Sequence, residues 1–284
     1  MSPLPRSPRR RLATALTVPL AATALLLAGT GTVSAAPSGG DDATADKPAV
    51  TKRGDAYMGW SNHGEGPSSP PSTSRQASVA GMDVSGHQGN VNWQGAWNAG
   101  ARFAYVKATE GNYYKNPYFT QQYNGSYNVG MIRGAYHFAT PNDSSGANQA
   151  NYFVDRGGAW SRDGKTLPGA LDIEYNPYGA TCYGKSQAAM RSWIADFINT
   201  YHARTGRWAT IYSTTDWWTQ CTGNYGGFAS NNPLWIARYA SSPGALPNGW
   251  GFYTFWQYND HGTFPGDQNV FNGAHDRLVA LANG

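Results

Sequence analysis

Two acidic residues at the end of one apolar stretch are the clearest candidates for chemistry in this sequence. Asp172 and Glu174 stand in Leu171-Asp172-Ile173-Glu174, which closes an apolar run that begins at Leu167. Successive side chains of a β-strand point to opposite faces, so both carboxylates share one face, about 6.5 Å apart along the strand. Each negative charge raises the pKa of the other, which suits a general acid. A solvated or salt-bridged strand end is the alternative interpretation.

The elements around this pair alternate between apolar strands and amphipathic segments from residue 80 onwards. Five strand–helix units are followed by strands without a full crossover helix, because Pro243, Gly244, Pro247 and Gly249 disfavour one. This α/β pattern predicts an incomplete (β/α) barrel, with a doubly wound open sheet as the alternative. The predicted strands are 81–85, 102–108, 131–138, 167–174, 209–213, 234–238, 253–258 and 267–271.

Two of the predicted helices have recognisable starts. Asn116 followed by Pro117 is typical of an N-cap and a first helical residue. Ser186 is the expected N-cap of the clearest helix, whose apolar stripe consists of Met190, Trp193, Ile194, Phe197, Ile198 and Tyr201.

Acidic residues recur at the predicted strand ends, where the chemistry of such barrels is found. Asp83 belongs to the first strand, and Asp267 stands at the eighth. With Asp172 and Glu174 they make four acids that are expected at one edge. Mg²⁺ or Ca²⁺ is an alternative use for such oxygens. No His-x-His or His-Glu-x-x-His spacing supports a transition metal, and no Gly-x-Gly-x-x-Gly for a dinucleotide follows the first strand. We expect no metal and no cofactor.

Aromatic residues at the same strand ends suit a carbohydrate groove, because their faces stack on sugar rings. Tyr136, Tyr212 and Trp256 are the predicted substrate-binding residues, with core packing as the alternative for each. His137 is either a satisfied polar residue beside the acids or a base or ligand.

The N-terminal residues indicate export. Arg9-Arg10-Arg11, an Ala/Leu-rich uncharged stretch and Val33-Ser34-Ala35 predict a signal peptide over residues 1–36. A membrane anchor is the alternative. Residues 37–77 are rich in Gly, Ser and Pro and predict a low-complexity linker or pro-segment. A small wall-binding module is the alternative there, and residues 78–284 form the predicted catalytic domain.

Charge and cysteine content narrow the possible partners and the compartment. The net charge is +4, and most of the excess lies before residue 78, so the near-neutral domain is not expected to bind nucleic acid. Cys182 and Cys221 are the only cysteines, and in an exported chain such a pair predicts a disulfide. Two free thiols are the alternative, and two cysteines are too few for zinc.

The chain resembles glycoside hydrolase family 25, the Ch-type lysozymes, from about residue 80 to its C-terminus. Six segments follow the order found in that family. They are Asp83-Val84-Ser85 followed by Gln88-Gly89, Tyr105-Val106-Lys107-Ala108-Thr109-Glu110-Gly111, Gly134-Ala135-Tyr136-His137-Phe138, Leu171-Asp172-Ile173-Glu174, Phe255-Trp256-Gln257-Tyr258 and Asp267-Gln268-Asn269-Val270-Phe271. The pair Gly86-His87 and residue Gln268 depart from the family's usual residues, but neither departure involves the presumed acids.

The resemblance implies an irregular (β/α)5β3 TIM-like barrel that cuts the β-1,4 bond from N-acetylmuramic acid to N-acetylglucosamine in peptidoglycan. It maps Glu174 to the general acid and Asp172 to the residue that stabilises the substrate's N-acetyl group. Asp83 and Asp267 map to the remaining acidic positions. The expected mechanism is retaining and substrate-assisted, with a direct Asp172 nucleophile as the rival.

Other classes stay open at this point. One is a chitinase-like or endo-N-acetylglucosaminidase-like hydrolase with its own Asp-x-Glu strand end. Another is a wall-binding protein without activity. The expected partners are peptidoglycan glycan strands, with no membrane contact after signal removal, and the chain is expected to be a secreted, extracellular monomer.

Overall fold

Nine strands and six α-helices make up the computed structural model, which describes residues 47–61 and 77–284. The strands are β1 (Val79–Val84), β2 (Phe103–Glu110), β3 (Tyr114–Lys115), β4 (Ile132–Phe138), β5 (Ala170–Asp172), β6 (Thr210–Ser213), β7 (Leu234–Ala237), β8 (Phe255–Asn259) and β9 (Asp267–Phe271). The helices are α1 (Trp93–Asn98), α2 (Phe119–Asn128), α3 (Gly146–Phe153), α4 (Gln187–Thr205), α5 (Thr215–Thr222) and α6 (His275–Asn283).

Eight of the strands close into a barrel, and β3 is a short addition that pairs with β2. The order around the barrel is β1-β9-β8-β7-β6-β5-β4-β2, and β1 also pairs with β2. Neighbouring barrel strands are parallel except at β9, which is antiparallel to both β1 and β8. Five strand–helix units followed by three strands confirm the (β/α)5β3 barrel, and no helix lies between β7 and β8.

The pleat of the strands sorts large side chains into two apolar layers. Tyr105, Tyr212 and Trp235 belong to the cluster that fills the barrel, whereas Leu171 and Ile173 belong to the cluster between barrel and helices. This confirms that Leu171 and Ile173 point away from the face that carries the acids. The period of two along each strand is therefore what directs the polar residues inward at the rim.

The helix predictions were partly right. Ser186 caps α4 by accepting a hydrogen bond from the amide of Ala189 (3.3 Å), and the predicted stripe of α4 is buried. The predicted start of α2 was wrong, because Tyr118 is its N-cap residue. Asn116 Oδ1 still accepts from the Tyr118 N–H at 2.9 Å, while its amide nitrogen donates to Lys107 O and to Gln122 Oε1, both at 2.8 Å, so this side chain ties the helix to β2.

A disulfide joins Cys182, in the loop after β5, to Cys221 in α5, with 5.4 Å between their Cα atoms. The predicted signal peptide, residues 1–36, lies outside the described residues. Of the predicted linker or pro-segment, residues 47–61 are described, and they belong to the same compact unit as the barrel. Among the described helices, none is long and apolar enough to span a membrane.

Candidate active site

The four predicted acids come together at one end of the barrel. Asp83 is near the end of β1, Asp172 ends β5, and Glu174 follows two residues later. Asp267 begins β9 and pairs in register with Asp83. Since β9 is antiparallel, its first residue reaches the edge at which the parallel strands end. All four side chains are buried, with residue exposures between 0% and 6%.

Gln257 connects two of these acids and two tyrosines. Its amide nitrogen donates to Asp83 Oδ2 (2.9 Å) and to Asp267 Oδ2 (3.0 Å). Its amide oxygen accepts from the hydroxyls of Tyr212 (2.7 Å) and Tyr239 (3.0 Å). Every hydrogen-bonding position of this amide is thereby used, which fixes its orientation and the spacing of the two carboxyls.

Asp83 has a second amide partner, and this partner also anchors the barrel interior. The Asn269 amide donates to Asp83 Oδ2 at 2.6 Å, while Asn269 Oδ1 accepts from the indole of Trp235 at 2.9 Å. Burial raises the pKa of Asp83 to about 7, although the amides of Gln257 and Asn269 favour its charged form. Burial and the charge of Asp83 likewise raise the pKa of Asp267.

Asp172 and Glu174 form the least compensated part of the cluster. Within the described residues, the oxygens of Asp172 and Oε2 of Glu174 have no hydrogen-bond partner other than the carboxyl of the pair itself. Burial and the charge of Glu174 raise the pKa of Asp172. Burial raises the pKa of Glu174 to about 8, opposed by the N–H of Gly59 and the charge of Lys47. The pair therefore holds at least one proton at pH values where ordinary carboxyls are both ionised.

The predicted aromatic residues do not share one environment. Tyr136 and Tyr212 lie inside the barrel, on the side that carries the acids. The side chain of Trp256 lies on the opposite face of β8 from Gln257, and its indole donates to Arg238 O at 2.9 Å. The structure does not bring Trp256 to the acidic cluster, because alternation along β8 turns Gln257 inward in its place.

His137 is a satisfied polar residue in the outer layer. Its Nδ1 and Nε2 pair with Thr109 Oγ1 (2.8 Å) and Gln149 Oε1 (3.0 Å), and its ring stacks on Phe197. Burial lowers the pKa of His137 to about 3. A neutral, fully bonded ring on the far side of β4 is not placed to act as a base toward the acids. Within the described residues, no group of three or more His, Cys, Asp or Glu is arranged to hold a metal ion.

A buried ion pair lies beside the acids at the end of β2. Lys107 Nζ is 2.6 Å from Glu110 Oε2, and both residues are fully buried. Glu110 Oε1 accepts from the hydroxyls of Tyr113 (2.8 Å) and Tyr178 (2.6 Å). Burial and the charge of Glu174 raise the pKa of Asp172, and the charge of Lys107 opposes that rise, so this pair partly offsets the cost of the neighbouring carboxyls.

Residues 82–267 match the family model described as glycosyl hydrolases family 25. The chain belongs to this family. It is therefore a glycoside hydrolase, and the resemblance drawn from the six ordered segments is confirmed.

Relatives and solved structures agree with this assignment. Lysozyme M1 of Streptomyces globisporus is 50% identical over 244 residues, covering 81% of this chain and 82% of that protein. An N,O-diacetylmuramidase of Chalaropsis sp is 49% identical over 210 residues, covering 72% and 100%. The structure of a muramidase from Acremonium alcalophilum has 63% identity and a TM-score of 0.71, covering 72% of this chain and 99% of that one.

These matches differ in how much of the chain before the barrel they include. The match to Lysozyme M1 spans more of this chain than residues 77–284 contain, so it continues into residues before the barrel. The other two relatives correspond in length to the barrel alone.

Sequence reasoning did not select Gln257, Asn269 or Tyr239 as site residues. Two signals were available. Gln257 shares a strand face with Phe255, and Asn269 shares one with Asp267. Alternation identifies such pairs without indicating which face is inward, and Tyr239 lies beyond the end of β7, where no such pattern applies.

Proposed function

We propose that this glycosyl hydrolase is a secreted lysozyme that hydrolyses the β-1,4 bond between N-acetylmuramic acid and N-acetylglucosamine in peptidoglycan. The observation that carries the proposal is the buried Asp172–Glu174 pair at the barrel rim, in a chain whose relatives are named lysozyme and muramidase. A carboxyl whose pKa is raised to about 8 is protonated at neutral pH. It is therefore ready to donate a proton to a leaving oxygen.

In the proposed mechanism Glu174 acts first as the acid. Its carboxyl proton passes to the glycosidic oxygen as the bond from this oxygen to the anomeric carbon breaks. The carbonyl oxygen of the 2-acetamido group attacks the anomeric carbon, and Asp172 stabilises the resulting oxazolinium charge. Water then attacks the anomeric carbon and gives a proton to Glu174, while the bond from this carbon to the acetamido oxygen breaks and the acetamide is restored. The acid is thereby regenerated, and the two successive displacements retain the configuration.

A direct attack by Asp172 is the rival route to the same product. Apart from the Glu174 carboxyl, Asp172 has no hydrogen-bond partner among the described residues, which is compatible with either role. A glycan substrate that lacks the acetamido carbonyl separates the two, because only the substrate-assisted route needs that oxygen.

The other acids and the two inward tyrosines complete the proposed site. We assign Asp83 and Asp267 to the catalytic set because Gln257 holds both at the rim, where their charges act on the Asp172–Glu174 pair. Tyr136 and Tyr212 are assigned to substrate binding.

Secretion and the domain boundaries belong to the same proposal. The disulfide between Cys182 and Cys221 suits an oxidising compartment. Residues 1–36 are proposed as the signal peptide, 37–77 as a low-complexity linker or pro-segment and 78–284 as the catalytic domain, acting as a monomer on glycan strands. N-terminal sequencing of the protein recovered from culture medium tests these boundaries.

The test of the activity is the identity of the new reducing ends in digested peptidoglycan. Muramic acid ends are the expected result. Glucosamine ends indicate the endo-N-acetylglucosaminidase-like alternative, and a wall suspension that never loses turbidity indicates a binding protein.

A further inference from the structure

Residues 47–61 lie across the end of the barrel at which the four acids meet. We propose that this stretch is an autoinhibitory pro-segment, which must leave the cleft before a glycan strand can reach Glu174. The inference rests on the proposed function, since it assumes that the acids act on a polysaccharide that enters from this side.

Two residues near the C-terminal end of the segment are bonded directly to the proposed acid and to a proposed substrate-binding tyrosine. The backbone N–H of Gly59 donates to Glu174 Oε1 at 2.7 Å. The N–H of Met58 donates to the Tyr136 hydroxyl at 3.3 Å, and the Met58 side chain is fully buried in the apolar cluster that fills the barrel. The segment thus forms hydrogen bonds with the proposed acid, Glu174, and with Tyr136, a residue assigned to substrate binding.

The segment is also held on both sides of the cleft. Lys47 Nζ forms an ion pair with Asp260 (3.1 Å), in the loop between β8 and β9, and lies over the Tyr239 ring. Further along, the Gly54 N–H donates to Glu110 Oε1 at 2.9 Å, and Arg53 pairs with Asp143 beyond β4. The chain therefore crosses the rim from the β8–β9 side to the β2–β4 side.

The buried ion pair at the end of β2 depends on the same segment. Lys107 Nζ donates to the carbonyls of Gly54 (3.2 Å) and Ala56. Near the C-terminal end of the segment, the Trp60 indole donates to Tyr175 O, the residue after Glu174, at 2.9 Å. These bonds satisfy groups that face the cleft, so they hold the segment in a single position over the acids.

Little space remains beside the acids while the segment is present. A cavity of about 10 Å³ lies between Tyr57, Asp83, Tyr136 and Asp267. A volume of that size suits about one water molecule, not a sugar ring. A glycan strand and residues 57–59 therefore cannot occupy this site together.

Gly59 is the point of closest approach, and its contacts require glycine. Its φ is +73°, and a Cβ there would lie 2.4 Å from the Tyr239 hydroxyl and 2.6 Å from Gln257 Oε1. Any larger residue is strained by the backbone angle and also collides with groups that Asp83 and Asp267 hold in place. Substitution of Gly59 should therefore displace the segment without altering a catalytic side chain.

Because residues 47–61 are covalently linked to the barrel, even a modest affinity of this segment for the cleft is enough to inhibit the enzyme. Residues 62–76 join the segment covalently to the barrel, so the segment binds the cleft as an intramolecular ligand, at an effective concentration on the order of 1 mM. If the free segment binds with a Kd of about 10 μM, the tethered cleft is open about 1% of the time, which corresponds to about 100-fold inhibition. Release requires hydrolysis of one peptide bond between Ser61 and Ala77 by a peptidase. Water supplies the hydroxyl of the new carboxyl group and the proton of the new amine, and the segment then dissociates.

The first test is cleavage in place. A site for a specific protease is introduced within residues 62–76 of the chain that starts at residue 37, and wall lysis is measured before cleavage and after gel filtration. We expect a rise of about 100-fold. A synthetic peptide of residues 47–61 should then inhibit the cleaved enzyme competitively, and the same peptide with Gly59→Val should not. Equal lysis before and after cleavage, with the segment removed, would overturn the proposal.

The second test leaves the chain uncut. Gly59→Val should raise lysis by at least about 10-fold, whereas Gly251→Ala, at a glycine with no atom within 4 Å of the added Cβ, should leave it unchanged. An unchanged rate for folded Gly59→Val would contradict the proposal.

Binding separates a failure of this inference from a failure of the proposed function. Calorimetry with a soluble tetrasaccharide of alternating N-acetylglucosamine and N-acetylmuramic acid is done on Glu174→Gln protein, cut and uncut. Binding only after cleavage supports the inference even if no form lyses walls, which would overturn the activity alone. Equal binding by both forms overturns the inference even if both forms are active.

Discussion

The backbone N–H of Gly59 donates a 2.7 Å hydrogen bond to Oε1 of Glu174, the carboxyl whose pKa burial raises to about 8. The proposed acid is thus covered and bonded by a residue that precedes the catalytic domain. This contact therefore bears both on proton donation by Glu174 and on the access of substrate to it.

The pH dependence of lysis should follow the protonation of Glu174. Removal of residues 47–61 takes away part of the burial that raises the pKa of Glu174, together with the Gly59 N–H and the Lys47 charge that lower it, so Glu174 should still be protonated at mildly acidic pH in the processed enzyme and ionise as pH rises. Because an ionised Glu174 cannot donate a proton, we expect a mildly acidic optimum and a rate that falls as pH rises. Initial rates of turbidity loss between pH 4 and pH 9 measure this, and an optimum at pH 9 would contradict it.

Stability of the uncut chain should fall as pH rises. The pKa of Glu174 is raised from 4.5 to about 8 and that of Asp83 from 3.8 to about 7. Between the lower and upper values the folded state binds more protons than the unfolded state, so the free energy of unfolding decreases with pH. We expect a Tm at least about 5 °C lower at pH 8 than at pH 5. Asp83→Asn should reduce the change of Tm with pH that calorimetry measures. A Tm that rises from pH 5 to pH 8 would refute the raised pKa values of Glu174 and Asp83.

Gln257→Glu should damage both stability and activity. The substitution removes the N–H groups that bond Asp83 and Asp267 and adds a third buried carboxyl beside them. We expect a loss of about 2–4 kcal/mol in the free energy of unfolding and at least about 10-fold in rate. Denaturant unfolding and lysis rates measure the two effects. Gln94→Glu, at an exposed residue of α1, is the matched control. Equal stability and equal lysis rates for the two variants would argue against the role of Gln257 in holding Asp83 and Asp267.

The disulfide should contribute to stability more than to catalysis. It closes a loop with a sequence separation of 39 residues, which corresponds to about 4 kcal/mol in the chain-entropy description. The Cys182→Ser, Cys221→Ser double variant should therefore unfold at lower denaturant concentration yet keep most of its rate at 25 °C. Unfolding at the same concentration as the parent would show that the cross-link adds nothing.

Much of the fold follows from local pattern. Prolines and glycines after β7 account for the missing crossover helix, and the alternation in Asp172 and Glu174 correctly put both acids on the inward face. Glu174 itself lies beyond β5, which is shorter than the predicted strand. The helix α2 begins two residues later than predicted because Pro117 and Tyr118 form a turn, in which Asn116 Oδ1 accepts from the Tyr118 N–H and Asn116 O from the Phe119 N–H.

The rest of the site depends on contacts between distant parts of the chain. Trp256 and Gln257 occupy opposite faces of β8, and only closure of the barrel determines which one meets the acids. Residues 47–61 have too few apolar side chains to form a core, so their sequence indicates a linker or pro-segment. Their ordered position comes from buried Met58 and from backbone bonds to Glu174 and Glu110, which composition does not predict.

The most direct test of the central claim is the lysis rate of the cleaved Glu174→Gln enzyme on a suspension of bacterial walls. Gln keeps the size of the side chain and cannot donate an acidic proton, so the protein should fold normally and lose at least about 100-fold in rate. Asp276→Asn, at an exposed acid on α6, should retain the parent rate. Lysis by Glu174→Gln at a near-parent rate would contradict the assignment of Glu174 as the acid.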